Sequence, residues 1–341
     1  MQAACLENGL FTIEEVPDPI PGRNEVLVST LACGICGSDL HQVVRSKDRA
    51  GRLVMGHEFC AEIIDYGPDT SRPFPVGSRV VSFPYVPGPN GAEIIGYSQE
   101  YPGGFGQRMV LSVADLVRVP DGISPTVAAL TEPLAVGEHA VALGRQEPGD
   151  VATVIGCGPI GLAVIVALRR RGCSPIIAAD FSAERRALAE KLGADIVFDP
   201  ARASPYSAWK DYGADWEAGN ALVAYATREK RRRAVIYECV GAPGLIAASI
   251  AGAPIGSTIV VVGACMGEDQ FVPSQALIKG VELRFSAAYS HDEFAATLRR
   301  IADSALDASA IITREVTLQE VDSAVTRLAT PTEGKITIRH E

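Results

Sequence analysis

Residues 151–161 read VATVIGCGPIG, and the reading of this stretch decides the fold. Residues 151–155 are a short, mostly apolar run of strand length. Gly156-Cys157-Gly158-Pro159-Ile160-Gly161 then turns the chain into residues 160–171, whose apolar positions recur at helical spacing. A G-x-G-x-x-G pattern between a strand and a helix is a nucleotide-binding fingerprint, whereas the same glycines elsewhere mean little. Asp180 supplies the remaining part, nineteen residues after Gly161 and at the end of the next strand-like run, SPIIAAD at 174–180. Residues 182–192 continue as a helix, and 235–239 and 258–262 as later strands. This rhythm predicts an α/β fold with a doubly wound parallel sheet.

The chemistry of that motif is specific. Glycines let backbone N–H groups approach a pyrophosphate, and the helix N-terminus favours its negative charge. Asp180 is placed to accept hydrogen bonds from ribose hydroxyls. Its carboxylate repels a 2′-phosphate, which favours NAD over NADP. Arg185 and Arg186 argue the other way, since guanidinium groups hold phosphates; at this position they read as a ribose contact or as surface residues.

Upstream, the chain has a different texture. Residues 26–32 are a β-branched run bounded by turn residues. Pro68, Pro73, Pro75, Pro84, Pro87, Pro89 and Pro102, with glycines between them, mark a loop-rich antiparallel region. Within it, residues 36–41 read CGSDLH, followed by Gly56-His57-Glu58 and later by Glu132-Pro133-Leu134. Cys36 offers a soft sulfur and His57 an imidazole. Catalytic zinc needs three protein ligands and an open fourth place, so the third must be a carboxylate. Glu132 and Glu58 both qualify; Glu132 is favoured, with Glu58 in the second sphere or alternating with it. Asp39 is the natural acceptor for the other imidazole N–H, which would fix its tautomer. Cys33 forms a C-x-x-C with Cys36, but the next cysteine is the lone Cys60, so Cys33 reads as a buried neighbour.

With 341 residues, two domains are expected. Apolar residues at 47% and charged residues at 21% exclude a disordered chain. A net charge of −10 disfavours nucleic acid and anionic membranes as partners. The first residues show no basic and apolar leader, and apolar runs such as 259–264 are too short to span a membrane. Eight cysteines without disulfide-framework spacing fit a reducing, cytoplasmic setting. The tail predicts a helix and a terminal strand at 335–339 that returns to the first domain. The stretch 203–233 has no clear assignment; its basic run Lys230-Arg231-Arg232-Arg233 reads as a solvated helix end rather than a phosphate site.

These residues resemble the medium-chain dehydrogenase/reductase superfamily, specifically its zinc-dependent alcohol and polyol dehydrogenases of the sorbitol, threonine and glucose dehydrogenase type. The resemblance covers essentially the whole chain. It rests on CGICGSDLH at 33–41, GHE at 56–58, GGFG at 103–106, TEPLAV at 131–136 and the glycine motif. It implies a mainly β, GroES-like catalytic domain from residues 1–134 and 286–341, a Rossmann domain at 135–285, and an active site in the cleft between them. It further implies that Ser38 contacts the substrate oxygen and that His41 ends a proton relay through a ribose hydroxyl. Arg185 is implied as an adenosine-ribose contact, and Val240, Val262, Gly263 and Ser286 as the lining for adenine and nicotinamide.

The expected reaction is hydride transfer between a secondary alcohol, polyol or sugar and NAD(H), with one catalytic zinc. Zinc-free quinone or enoyl reductases and a non-catalytic NAD-binding sensor are the alternatives. Many relatives carry four cysteines for a structural zinc, but residues 80–110 hold none, so no structural zinc is expected. Ala61 stands where the family usually has glycine. Tyr85, Tyr101 and Phe105 are candidate pocket walls or simple packing residues. A homodimer or homotetramer is expected, paired through a strand near 281–285.

Overall fold

A computed structural model describes residues 1–88, 91–214, 232–303, 308–328, 330 and 332–340. The chain divides into two compact units, residues 1–133 with 290–341, and residues 134–289.

The second unit is built on six parallel strands. Val151–Ile155, Ile176–Ala179 and Thr258–Val261 are buried at every position, as is Ala234–Glu238. Strands covered on both faces need continuous apolar runs rather than alternation, which is how these sequences read. The spatial order is Ile196–Phe198, Ile176–Ala179, Val151–Ile155, Ala234–Glu238, Thr258–Val261, Glu282–Phe285. The sheet therefore grows one way from Val151–Ile155 and then the other, and the reversal lies between Val151–Ile155 and Ala234–Glu238. Ligands of doubly wound sheets bind at the carboxyl ends of strands at such a reversal. Helix Pro159–Arg170 starts with proline in its first turn, where no N–H is missed. Helix Ala183–Lys191 is capped by Ser182, whose Oγ accepts the Arg185 N–H.

The unassigned stretch is partly placed. Pro205–Tyr212 is a run of 3₁₀ turns whose Trp209 is buried and donates from Nε1 to the Gly252 carbonyl. Arg233 pairs with Asp150 at 2.8 Å, so this arginine holds the fold together rather than facing solvent as a helix end. Lys230 and Arg231 lie outside the described residues.

The first unit is mainly β. Its large sheet runs Leu116–Arg118, Arg79–Ser82, Glu58–Tyr66, Glu25–Ile35, Lys335–Arg339, Ile312–Val316, and Arg108–Ser112 also pairs with Glu25–Ile35. A smaller sheet joins Leu10–Glu15, Gln2–Glu7 and Leu53–Val54. The C-terminal strand is antiparallel to Glu25–Ile35 and parallel to Ile312–Val316, which makes this unit discontinuous in sequence. Ala61 is fully buried opposite Thr30 and Val80, so its methyl group is accommodated between strands. Phe105 is also fully buried and packs against Phe11, as a core residue and not a wall.

Candidate metal centre and nucleotide site

The register of three adjacent strands assembles the metal centre. Gly34 lies opposite Glu58 on one side and Thr337 on the other. Cys36 follows the end of Glu25–Ile35, Glu58 begins its own strand, and Lys335 begins the C-terminal one. Three reactive side chains far apart in sequence thus meet at one end of the sheet. A Cβ on Gly34 would fall 2.1 Å from Glu58 Oε2, so glycine there lets the carboxylate lie across the strand toward Lys335. Gly56 has a φ of +104°, and a Cβ there would meet Cys33 Sγ at 2.7 Å. That backbone conformation, which L side chains rarely adopt, delivers His57 to the site.

Cys36, His57 and Glu58 present ligand atoms that all lie within 4.8 Å of one another. Cys36 also precedes helix Gly37–Arg45, and its N–H donates to Asp39 Oδ2 at 2.8 Å. Asp39 is fully buried, and burial holds its carboxyl above the ordinary aspartate range. Its Oδ1 accepts from Tyr97 at 3.0 Å. Asp39 Oδ1 lies 3.8 Å from His57 Nδ1, beyond hydrogen-bond reach, and the buried Nδ1 has no hydrogen-bond partner among the described residues. Ser38 Oγ is 3.1 Å from Cys36 Sγ and 2.7 Å from the Tyr97 hydroxyl. His41 follows one helical turn after Ser38 and is half-buried.

The electrostatics favour a cation. Burial by itself would lower the His57 pKa, but the hydrogen bond and charge of Cys36, with Asp39 and Glu132, push it up to about 10. Glu132 opens helix Thr131–Gly144, and its charge acts on His57, Lys335 and Tyr85. Lys335 Nζ sits 2.7 Å from both oxygens of Glu58, and both side chains are 1% exposed. One thiol and one imidazole hydrogen-bonded to each other, with the Glu58 carboxylate within reach of both and the Glu132 charge acting on the imidazole, are a donor set that fits a divalent ion of zinc's ligand preference. Lys335 and Tyr97 were not expected from the sequence. Lys335 starts a strand whose first four positions are all buried, so alternation with Ile336 and Ile338 gives no sign that it is inside, and Tyr97 lies in a turn with no periodic signal.

In the second unit, the glycines divide by role. Gly156 has a φ of +88°, and a Cβ on Gly161 would lie 1.8 Å from the Gly156 carbonyl oxygen, so both are required by the fold. A Cβ on Gly158 would meet only the Arg185 guanidinium, at 3.7 Å. Nothing among the described residues demands glycine at 158, so the bare backbone there suits a ligand's close approach. Pro159 and Ile160 start the helix that points its N-terminus at this turn. Asp180 is buried and accepts the Cys157 N–H at Oδ2 and the Ser182 N–H at Oδ1, each at 2.8 Å. A carboxylate has about four acceptor sites, so capacity remains for ribose hydroxyls. Arg186 is occupied by the Asp180 and Phe181 carbonyls and by Asp199. Val240 packs toward Gly156, while the Val262 and Gly263 N–H groups donate to the Glu238 carbonyl. Ser286 follows the last strand, bonded through its N–H to Val261. All four stand at the carboxyl ends of strands.

Residues 22–121 match the alcohol dehydrogenase GroES-like domain, and residues 159–303 match the zinc-binding dehydrogenase domain. The chain is 30% identical over 329 residues to (R,R)-butanediol dehydrogenase of Bacillus subtilis, covering 91% of this chain and 90% of that one. It is 32% identical over 269 residues to sorbitol dehydrogenase of the same organism, covering 71% and 75%. The crystal structure of 2R,3R-butanediol dehydrogenase from Bacillus subtilis superposes with a TM-score of 0.81 at 27% identity, covering 100% and 99%. The chain belongs to the zinc-dependent alcohol and polyol dehydrogenases of the medium-chain dehydrogenase/reductase superfamily, enzymes that move hydride between an alcohol and a nicotinamide cofactor.

Proposed function

We propose that this enzyme interconverts a secondary alcohol of a small diol or polyol and its ketone, with NAD as the preferred cofactor and one zinc ion per chain. The observation that carries the reading is the convergence of Cys36, His57 and Glu58, with the Ser38 hydroxyl beside Cys36 and the Glu132 charge acting on His57. Cys36, His57 and Glu132 would hold the zinc. Glu58, clamped by Lys335, stands as the second carboxylate. Zinc held there would supply Lewis acidity, which lowers the pKa of bound water by several units and acts likewise on an alcohol.

The chain's own groups do the rest. Ser38 meets the substrate hydroxyl as hydrogen-bond acceptor, and His41, one helical turn away, carries the released proton onward. Asp39 holds the first turn of the helix to Cys36 and so fixes Ser38 relative to the ligand sulfur. Gly156, Gly158, Pro159, Ile160 and Gly161 seat the pyrophosphate, and Asp180 and Arg185 take the adenosine ribose. Val240, Val262, Gly263 and Ser286 line the rings. A nicotinamide cofactor held by these residues would supply the hydride acceptor. A carboxylate in place of a second thiolate leaves a harder, more polar site, and the butanediol and sorbitol dehydrogenase relatives point to the same polyol class.

No helix among the described residues is long and apolar enough to cross a membrane. A cytoplasmic homodimer or homotetramer is proposed. Its pairing surface would be the sheet edge at Glu282–Phe285, where Phe285 and the nearby Leu277 are exposed. The test is metal analysis of the purified protein, followed by reduced-cofactor absorbance with NAD and NADP over a panel of vicinal diols and polyols. Oxidation with NAD by a zinc-loaded enzyme, lost in Glu132→Gln and retained in part in Glu58→Gln, is expected. A null panel with tight NAD binding would show a binding protein instead.

A further inference from the structure

Tyr97 belongs to no motif in the sequence, yet it joins the two side chains that flank the metal ligands. Its hydroxyl lies 2.7 Å from Ser38 Oγ and donates to Asp39 Oδ1 at 3.0 Å. The other Asp39 oxygen already accepts the Cys36 N–H, so this carboxylate receives a donor on each side. A phenol carries one proton. With that proton committed to Asp39, the Tyr97 oxygen can only accept from Ser38. Ser38 has a second candidate acceptor, Cys36 Sγ at 3.1 Å, but sulfur is the weaker acceptor and the more distant one. The ring is fixed in place: it meets His57 edge-on at 5.1 Å, and its backbone carbonyl accepts from Arg49.

We propose that Tyr97 is a positioning residue for alcohol oxidation: by taking Ser38's only proton, it leaves the Ser38 oxygen as an acceptor for the substrate hydroxyl. This rests on the reading that Ser38 meets the substrate oxygen. Without Tyr97, the Ser38 hydroxyl turns its proton toward Cys36 or the substrate, and the productive orientation becomes one of several. Losing one such hydrogen bond corresponds to roughly a tenfold change in rate.

The experiment is a double-mutant cycle in the zinc-loaded enzyme with Tyr97→Phe and Ser38→Ala, following diol oxidation, KM for the cofactor, zinc content and thermal unfolding. Tyr97→Phe is expected to lower kcat about tenfold with zinc content and cofactor KM unchanged, and to change kcat less than twofold in the Ser38→Ala background. If Tyr97→Phe loses zinc or unfolds, 3-fluorotyrosine at position 97 keeps the shape while altering the phenol's acidity. Its effect on kcat is then expected in the Ser38 enzyme and not in the Ser38→Ala background. A crippled Ser38→Ala beside an unaffected Tyr97→Phe, or effects that simply multiply, would overturn the proposal alone. A Ser38→Ala enzyme with full kcat would overturn the reading beneath it as well.

Discussion

Lys335→Met isolates the buried pair that holds Glu58. Lys335 Nζ lies 2.7 Å from each Glu58 oxygen and 3.2 Å from the Ile35 carbonyl. At an effective dielectric of 20, that charge separation corresponds to about 6 kcal/mol of attraction. Removing two ions from water costs several kcal/mol each, so the intact pair adds little net stability. Removing the cation alone is different, because Glu58 remains buried and uncompensated, at about 3–5 kcal/mol. With a urea slope of roughly 3 kcal/mol/M, the unfolding midpoint falls by about 1–1.7 M.

The pH behaviour has a definite sign. Burial alone lowers the Lys335 pKa, but Glu58, with Cys36 and Glu132, outweighs it and leaves the pKa raised. A group whose folded pKa is raised stabilises below its unfolded pKa and loses that contribution as pH rises through the folded one. The deficit of Lys335→Met is therefore steady from neutral pH to the ordinary lysine range and shrinks only above it. Circular dichroism against urea reads this directly. The double variant Glu58→Gln/Lys335→Met should recover most of the midpoint. A single variant within about 0.3 M of wild type, or a double variant as unstable as the single, would refute the reasoning.

Other expectations follow from the same geometry. Gly158→Ala should leave the melting temperature within about 2 °C of wild type while raising cofactor KM roughly tenfold, since only Arg185 lies near the added methyl. Gly161→Ala should cost about 3 kcal/mol in thermal unfolding, because its methyl would fall on the Gly156 carbonyl. Asp180→Ser should shift the kcat/KM ratio toward NADP by at least about tenfold, read from paired kinetics with both cofactors. Zinc affinity, measured against a competing chelator, should rise about tenfold per pH unit up to about pH 10, because the His57 proton must leave before the imidazole can ligate.

What the sequence made legible was local. The strand, glycine turn and helix at 151–170, with Asp180 closing the next strand, specify their own neighbours, and hydrophobic run length separates buried parallel strands from the loop-rich N-terminal region. Cys36, Ser38, Asp39 and His41 lie on one short helix and its cap, so their proximity needs no tertiary information. The partners that arrive from elsewhere were not legible. Lys335 reaches Glu58 across 277 positions through strand register, and register depends on the whole sheet. Tyr97 sits in a turn held by Gly96 and the Tyr101 carbonyl, where neither period of 2 nor of 3.6 marks a side chain as buried. Asp39 shows a subtler limit: the imidazole was its expected partner, but a backbone N–H and a phenol lie within bonding distance and the imidazole does not.

The most direct measurement is anomalous diffraction at the zinc edge from crystals of the active enzyme, with metal content determined on the same batch. One zinc per chain is expected, in contact with Cys36 Sγ and an imidazole nitrogen of His57, with one of the two neighbouring glutamates completing the protein ligands. Full alcohol-oxidising activity in protein free of metal, or an ion bound away from Cys36 and His57, would contradict it.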